Sequence, residues 1–306
     1  MKSEQRVLDN NRLTFLIPAY NESETIRSVV SELKQLYSES EIIVIDDGSE
    51  DDTGLNAKAA GAKVITHPYN IGNGAAVKAG IRAASRDYLI LMDADRQHCS
   101  GDVKLLLKHL LHYDMVVGAR MKGGHASGAR KMANYIFNRF GSYVAKFNIQ
   151  DLTSGFRAIK TDIAKQFIYL LPNTYSYPTT LTLSVLRSGL SVKYISVSMG
   201  KRKKGKSNIR SLRDGVRFLM IIIKICTLYS PFRVFLPVSF ATFALGVLYY
   251  LYTFYHSGRF TNMGALLFTT SLIIFLLGMV SEQICQMRFE RSEHTSQRED
   301  SRTTNG

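Results

Sequence analysis

Residues 88–98 read YLILMDADRQH, an apolar run that passes directly into two carboxylates and an amide. Successive side chains of a strand alternate between its faces, so Asp93, Asp95 and Gln97 point to one side if the strand continues past Met92. Three oxygen ligands on one side suit a hard divalent cation, Mg²⁺ or Mn²⁺. Such a cation keeps open positions for a diphosphate and neutralises its charge as the bond to it breaks. Alone the pair is a weak signal, because acidic pairs also cap helices and solvate loops.

Four strand-like runs precede or include this stretch, and helical segments separate them. The runs are LTFLI (Leu13–Ile17), EIIVI (Glu41–Ile45), KVIT (Lys63–Thr66) and YLILM (Tyr88–Met92). Continuously apolar strands that alternate with helices predict an α/β fold with a mostly parallel sheet covered on both faces. Ligands bind such sheets at the carboxyl ends of the strands. The polar motifs PAYNE, DDGS, HPYNIGNG and DADRQH follow the four runs in turn, which predicts a ligand site at that edge.

The chain of 306 residues has a formal net charge of +14, so an anionic partner is expected: a phosphate-bearing ligand, an acidic membrane or nucleic acid. Its three cysteines, Cys99, Cys226 and Cys285, are scattered and predict neither a metal cluster nor a disulfide framework, which fits a reducing compartment. The N-terminal residues are too polar for a signal peptide, so no export of the N-terminal part is expected.

Two C-terminal stretches, residues 234–255 and 260–281, contain no charged residue, and each reaches the roughly 20 residues that a membrane-spanning helix needs. Only HSGR separates them, which predicts a transmembrane hairpin over residues 232–288. The flank at residues 201–217 (KRKKGKSNIRSLRDGVR) is densely basic, whereas the turn carries only Arg259. This asymmetry predicts that the N-terminal domain and both termini are cytoplasmic. The alternative is a pair of buried core helices in a soluble protein.

The segments on either side of the hairpin complete the predicted organisation. Residues 216–228 (VRFLMIIIKICTL) are apolar but too short to span, so residues 211–231 are predicted to form an interfacial amphipathic helix. The alternative is a helix packed on the soluble domain. Residues 289–306 are polar without periodicity and are predicted to be a disordered cytoplasmic tail. Residues 1–210 form the predicted N-terminal domain.

The motifs PAYNE, IDDGS, DADRQ and SGFR occur in this order, and with them the chain resembles family 2 glycosyltransferases of the GT-A fold, which is Rossmann-like. It is most similar to polyprenyl-phosphate sugar synthases of the dolichyl-phosphate mannose synthase and undecaprenyl-phosphate glucosyltransferase type. The similarity covers residues 13–210 and, with the two-helix anchor, extends to about residue 288. It implies transfer of a hexose, with inversion, from a GDP- or UDP-linked sugar to a polyprenyl monophosphate in the bilayer, assisted by Mg²⁺ or Mn²⁺. We expect no nucleic acid partner, and the oligomeric state is open, including a homo-oligomer.

The resemblance also implies roles for individual residues. Nucleotide-sugar contacts fall on Pro18, Tyr20, Glu22, Ile45, Asp47, Asp93, Ala94 and Asp95, and metal ligands on Asp93, Asp95 and Gln97. Residues expected to bind phosphate or the acceptor are Arg120, Arg130, Arg157, Arg202 and Ser207, since the planar arginine fork donates two parallel hydrogen bonds to phosphate. The catalytic candidates are Asp95, Asp151 and Arg157.

Asp151 is predicted to orient the arginines or steer the attacking oxygen. A phosphate monoester has a second pKa of about 6 and is mostly dianionic at neutral pH, so proton abstraction by Asp151 is a lesser role. The plainer alternatives are that Asp151 caps a helix, that DDGS is only a turn, and that the arginines are surface charge.

One departure from the family affects the donor. The family usually reads Gly-Glu-Ser-Lys where this chain has Gly205-Lys206-Ser207-Asn208. Either Lys206 or Arg210 supplies the missing cation, or the donor differs. Two other functions are open: a non-catalytic basic module that binds anionic lipid or nucleic acid, and a glycosyltransferase with a different lipid acceptor. A polysaccharide synthase is not expected, because the chain has no Trp for the Gln-x-x-Arg-Trp motif and too few spans for a polymer channel.

Overall fold

The computed structural model describes residues 8–94, 100–120, 128–173, 177–197 and 229–303. The chain divides into two compact units, residues 1–208 and 209–306. Four of the predicted ligand-binding residues lie outside the described residues: Asp95, Gln97, Arg202 and Ser207. Most of the predicted interfacial segment 211–231 also lies outside them.

The first unit is built on a seven-stranded sheet with the order β3-β2-β1-β4-β6-β5-β7. The strands are β1 (Leu13–Ala19), β2 (Glu41–Asp46), β3 (Lys63–Thr66), β4 (Tyr88–Leu91), β5 (Met115–Arg120), β6 (Arg157–Lys160) and β7 (Val192–Val197). Strand β6 pairs antiparallel with β4 and β5, and the other described pairs are parallel. The predicted mostly parallel α/β sheet is therefore confirmed, and its four predicted strands are all present.

Seven α-helices surround this sheet in the described part of the unit. They are α1 (Ile26–Leu36), α2 (Thr53–Ala59), α3 (Asn73–Ala83), α4 (Ser100–Leu110), α5 (Gly128–Ala145), α6 (Thr161–Gln166) and α7 (Tyr177–Arg187), with short 3₁₀ helices at Asn10–Arg12 and Ile168–Leu170. Helices α1 and α2 cross over between the parallel neighbours β1–β2 and β2–β3, and α3 leads from β3 back to β4 on the other side of β1.

The core lies on both faces of the central strands. Leu13, Phe15 and Ile17 of β1 have no exposed surface, and burying each such side chain contributes about 1.5–3 kcal/mol. Helix α3 packs so closely on β1 that a Cβ at Gly80 would overlap the Leu16 side chain. The prediction of full coverage is wrong for β3, whose residues are half-buried or exposed because it lies at the edge of the sheet.

The strand register brings the polar motifs to one edge. Ala19 of β1 pairs with Asp46 of β2, and Leu16 of β1 pairs with Leu91 of β4. The Met92 backbone N–H continues the β1–β4 ladder by donating to the Leu16 carbonyl at 3.2 Å. The loops that follow β1, β2 and β4 therefore open at the same carboxyl edge, as the sequence predicts.

The second unit contains two long helices, α8 (Phe232–Ser257) and α9 (Asn262–Thr303), joined by a turn in which Gly258 adopts a left-handed conformation. Residues 232–257 and 262–287 are long and apolar enough to cross a membrane, and few of their side chains are buried. The helices contact each other through small residues: the Ser239 hydroxyl donates to the Ser271 carbonyl at 2.8 Å, and Gly246 faces Phe268. The predicted hairpin is present, although residues 260 and 261 belong to the turn.

Helix α9 continues to Thr303, so the prediction of a disordered tail from residue 289 is wrong for the described residues. The sequence from 288 to 303 contains neither Pro nor Gly and is rich in Arg and Glu, which have good helix propensity. An existing helix needs no new nucleation step, so such residues extend it at little cost. A lack of apolar periodicity therefore identifies the absence of a packed face, not the absence of helix.

Candidate active site

The loops after β1 and β2 are held together by hydrogen bonds at the carboxyl edge. The Asn21 side-chain oxygen accepts from the Glu50 N–H at 3.0 Å, and the Asn21 N–H donates to the Ser49 hydroxyl at 3.0 Å. The Glu22 N–H donates to the Thr53 hydroxyl at 2.8 Å. Asn21 has φ 55°, a left-handed conformation that Asn tolerates better than most residues. These bonds hold the two loops together, and Pro18, Tyr20 and Glu22 lie at this edge, with Tyr20 exposed.

Asp47 is buried and organises the third loop at this edge. Its carboxylate binds His67 Nδ1 at 2.7 Å and accepts from the backbone N–H groups of Ile71 at 3.1 Å and Gly72 at 2.8 Å. Since a carboxylate offers about four acceptor positions, one is left for an imino N–H of a base. The contact between Asp47 and a nucleotide base stays a prediction.

The residues beside Asp47 bear on whether IDDGS is a plain turn or part of a nucleotide site. Asp46 Oδ1 accepts from the Ser49 N–H at 3.0 Å, so the plain turn interpretation describes Asp46. Ile45 has no exposed surface, so the predicted contact between Ile45 and a nucleotide is wrong for this conformation. Gly72 has φ 123°, which explains a glycine there by loop geometry.

Asp93 lies directly after β4, half-buried, and Ala94 next to it is buried. A Cβ at Gly155 of the SGFR motif would lie 3.1 Å from both carboxylate oxygens of Asp93, so any other residue there would require the carboxylate to shift by a few tenths of an ångström. No cluster of three or more His, Cys, Asp or Glu side chains is placed to hold a metal ion within the part of the chain that the structure describes. The predicted ligands Asp95 and Gln97 are not in that part, and the oxygen donors of the three residues fit a hard divalent cation.

Asp151 faces Arg120 across the same edge. Arg120 Nε lies 3.5 Å from Asp151 Oδ2, and the other carboxylate oxygen accepts from the Thr153 N–H and hydroxyl, each at 3.0 Å. The Arg120 side chain is half-exposed, so this pair contributes little to stability, about 0.2–1 kcal/mol, and its main effect is on orientation. The helix-cap alternative is wrong, because α5 ends at Ala145 and α6 begins only at Thr161.

Arg157 is placed differently from its prediction as a phosphate ligand. It is 0% exposed, and its guanidinium donates to the Pro178 carbonyl at 2.8 Å, to the Thr182 hydroxyl at 3.1 Å and to the Ser154 carbonyl. The guanidinium carbon lies 6.0 Å from the centre of the Tyr177 ring, within reach of a cation–π contact. A side chain without exposed surface cannot bind an acceptor, so direct phosphate binding by Arg157 is wrong for this conformation.

Arg157 is a buried positive charge in the electrostatic surroundings of both carboxylates of the site. Burial lowers the pKa of Arg157, and the neighbouring Tyr177 and Tyr194, together with the charges of Asp151 and Asp93, oppose that shift. The bond from the Arg157 guanidinium to the Ser154 carbonyl also fixes the backbone beside Gly155, on which Asp93 rests. These contacts fit a positioning role for Arg157, and that role stays a prediction.

The structure brings most of the predicted residues to one edge and adds others. Pro18, Tyr20, Glu22, Asp47, Asp93, Arg120 and Asp151 belong to the carboxyl edge of the sheet or the loops around it; nothing is described of the Arg130 side chain. His67 was not predicted, although it directly follows β3 and the same rule identifies it. Tyr177 and Thr182, which hold Arg157, have no local signal in the sequence.

Comparison with known proteins agrees with this geometry. Residues 14–168 match the model of the family described as glycosyl transferase family 2, and residues 230–287 match the GtrB C-terminal hairpin. Glycosyltransferase AglJ of Haloferax volcanii is 26% identical over 299 residues, covering 93% of this chain and 97% of that protein. The undecaprenyl-phosphate mannosyltransferase of Micrococcus luteus is 27% identical, covering 65% of this chain and 87% of that protein.

A solved structure supports the fold. Glucosyl-3-phosphoglycerate synthase from Mycobacterium tuberculosis, crystallised with Mn²⁺, UDP and glucosyl-3-phosphoglycerate, superposes with a TM-score of 0.54 at 21% identity, covering 70% of this chain and 77% of that one. The family match covers half of the chain, and the hairpin match covers both apolar helices. The chain therefore belongs to glycosyl transferase family 2 and is a glycosyltransferase with a C-terminal membrane anchor.

Proposed function

We propose that this protein transfers a hexose from a nucleotide sugar to a polyprenyl monophosphate at the membrane surface. The observation that carries the proposal is the joining of a family 2 domain to a membrane hairpin in one chain, since an anchored transferase meets acceptors that carry lipid tails. The name of the Micrococcus luteus relative, an undecaprenyl-phosphate mannosyltransferase, supports the same acceptor class.

On the donor side, Pro18, Tyr20, Glu22 and Asp47 border the proposed nucleotide pocket, and Tyr20 offers an exposed ring for stacking. Asp93, Asp95 and Gln97 would hold a divalent cation, which when bound neutralises the diphosphate as it departs. The bond between the anomeric carbon and the diphosphate oxygen breaks, and a phosphate oxygen of the acceptor forms the new bond from the opposite face. This displacement inverts the anomeric configuration.

On the acceptor side, Arg120 is the described arginine with an exposed guanidinium next to Asp151. Together with Arg130, Arg202 and Ser207 it would bind the phosphate of the lipid. Because that phosphate is already mostly dianionic at neutral pH, the site needs to position it and balance its charge more than to remove a proton. Asp151 would act by fixing the direction of the Arg120 guanidinium.

An Asp151→Asn variant should lower the transfer rate while leaving its pH profile nearly flat above pH 7. The amide keeps the shape of the side chain but weakens the contact with Arg120, so the acceptor phosphate is held less well. If Asp151 were the general base, the residual rate would rise steeply with pH as hydroxide replaced it. Rates from pH 6 to 9 measure the difference, and efficient use of free polyprenol would contradict the positioning role.

The basic segment at residues 201–217 is proposed to lie at the cytoplasmic surface, with the transferase domain and both termini on that side. The support is the charge asymmetry between this segment and the hairpin turn, which carries only Arg259. A single cysteine placed at Lys204 in a cysteine-free chain should react with a membrane-impermeant maleimide only after the cells are opened. Labelling of intact cells would overturn the topology, and a cysteine at Arg259 should show the opposite pattern.

The direct test of the function is transfer of radiolabelled sugar into a product that partitions into organic solvent. GDP- and UDP-linked hexoses are supplied in parallel with Mn²⁺ and undecaprenyl or dolichyl phosphate. One donor should label the organic phase, and mild acid should release the sugar from the product. Consumption of donor with all label in the aqueous phase would contradict the lipid acceptor.

A further inference from the structure

Helix α5 presents an unusual exposed face. Phe137, Gly141 and Val144 point into the unit and are buried. Four large apolar or aromatic side chains lie on the outside at helical spacing: Met132 is 61% exposed, Tyr135 65%, Ile136 49% and Tyr143 53%. The other exposed large apolar side chains of this unit are dispersed over several helices and loops. We call these four residues the outer face of α5.

The charged residues of α5 and of the chain just after it all have one sign. Residues 128–150 contain Arg130, Lys131, Arg139 and Lys146 and no acidic residue. Arg139 is exposed and lies between Ile136 and Tyr143 at spacings of three and four residues, which places it on the same side of the helix. Aromatic and aliphatic side chains together with cations are the composition of helices that lie in the interface of anionic bilayers.

We propose that α5 lies on the cytoplasmic membrane surface, with its outer face in the headgroup region of anionic lipids. The C-terminal hairpin already holds the chain at a bilayer, so this contact needs no separate recruitment. Such helices insert their apolar face about 5–10 Å into the boundary between headgroups and acyl chains, while Lys and Arg bind lipid phosphates. This docking of α5 on the membrane does not depend on which acceptor receives the sugar.

Hydrogen bonds connect this helix to the site. The Asn138 side chain donates to the Gln150 carbonyl at 2.8 Å and accepts from the Leu152 N–H at 3.0 Å. The Ser142 hydroxyl accepts from the Ile149 N–H at 3.0 Å. These bonds flank Asp151, which contacts Arg120. Docking of α5 therefore fixes the height of the Asp151–Arg120 pair above the lipid phosphates.

The chain contains no Trp, so one substitution gives the full-length protein a single fluorescent reporter. Tyr135→Trp and Tyr143→Trp variants are reconstituted in vesicles of phosphatidylcholine and phosphatidylglycerol, with or without bromine on the acyl chains. Both variants should emit at a shorter wavelength than an indole ring in water. Most of this fluorescence should be quenched in the brominated vesicles. The control is Tyr169→Trp, at a 51% exposed position outside α5, which should keep its emission. No donor, acceptor or metal is needed, so the result is independent of the proposed transfer.

A second change tests the contact itself. Adding Tyr143→Glu to the Tyr135→Trp variant places a negative charge against anionic headgroups and should reduce the quenching, while Tyr143→Phe should preserve it. Red-shifted, unquenched emission would show that the face is in water. Blue-shifted but unquenched emission would show that protein covers it, either a second copy or residues 211–228. Equal quenching of the Tyr169→Trp control would remove the specificity for α5, and each of these three results would overturn the proposal.

Discussion

Replacement of Asp93 by Asn is expected to reduce sugar transfer by about 10³-fold or more, since a bound cation stabilises the departing diphosphate by several kcal/mol and each factor of ten corresponds to about 1.4 kcal/mol. Asp93 stands at the end of β4, against the Gly155 backbone, so its carboxylate has a defined place. The amide keeps the size but loses the charge. Asp95→Ala should have an equal effect, because both carboxylates are proposed to hold the same cation.

The matched control is Asp87→Asn at the opposite end of the same strand. Asp87 pairs with Arg12 at 2.6 Å, its side chain is 58% exposed, and the variant should transfer sugar at the unchanged rate. Transfer is measured as the initial rate at saturating Mn²⁺, and the melting temperature confirms folding. Excess EDTA should abolish wild-type transfer, and added Mn²⁺ should restore it. Full turnover in EDTA would refute the assignment of Asp93 and Asp95 to a metal.

Replacement of Arg157 by Met should lower the free energy of unfolding of the transferase unit by about 2–4 kcal/mol and remove most activity. The change leaves the Ser154 carbonyl without the guanidinium donor, at about 1–3 kcal/mol, and Asp93 and Asp151 without a nearby buried positive charge. The Pro178 carbonyl loses one of two donors, since the Thr182 hydroxyl still donates to it at 2.9 Å. Methionine also removes the cost of burying a charge, which offsets part of the loss. Arg157→Lys should not restore stability, because one ammonium cannot reproduce the planar fork that reaches three acceptors.

Arg120→Met is the comparison for this variant, since Arg120 contacts Asp151 from the exposed side. It should keep the urea midpoint of the wild type and raise the KM for the lipid acceptor. Urea unfolding at unchanged m-value, combined with donor and acceptor kinetics, separates the two arginines. If Arg157→Met melted like the wild type and changed only the acceptor KM, Arg157 would be a phosphate ligand after all.

The central strands and their ligand-binding edge were predictable from local pattern. Continuous apolar runs such as LTFLI and YLILM identify strands covered on both faces, and the rule of the carboxyl ends places PAYNE, IDDGS and Asp93 together. The same rule applied to HPYN identifies His67, the partner of Asp47. Local pattern works here because each motif directly follows its own strand.

Other features depend on contacts that no local pattern records. Strand β6 begins with Arg157 and reads RAIK, which resembles an exposed segment, yet it lies between β4 and β5 because the guanidinium finds acceptors on α7 and in the Ser154 loop. An arginine is predicted to be at the surface unless those acceptors are known. The outer face of α5 has no distinctive signal in the sequence, since apolar residues at helical spacing are ordinarily assigned to a core.

The contacts inside the C-terminal hairpin have a mechanical consequence. From the turn to the open end they succeed one another as Gly246 with Phe268, the Ser239–Ser271 hydrogen bond, Gly278 with Phe235, and the Phe232 N–H with the Glu282 carboxylate at 3.3 Å. Contacts spread over the whole length resist sliding and twisting of one helix against the other. The two helices of the anchor should therefore move as one stiff body, so a pull on the chain where it enters near residue 230 tilts both helices together.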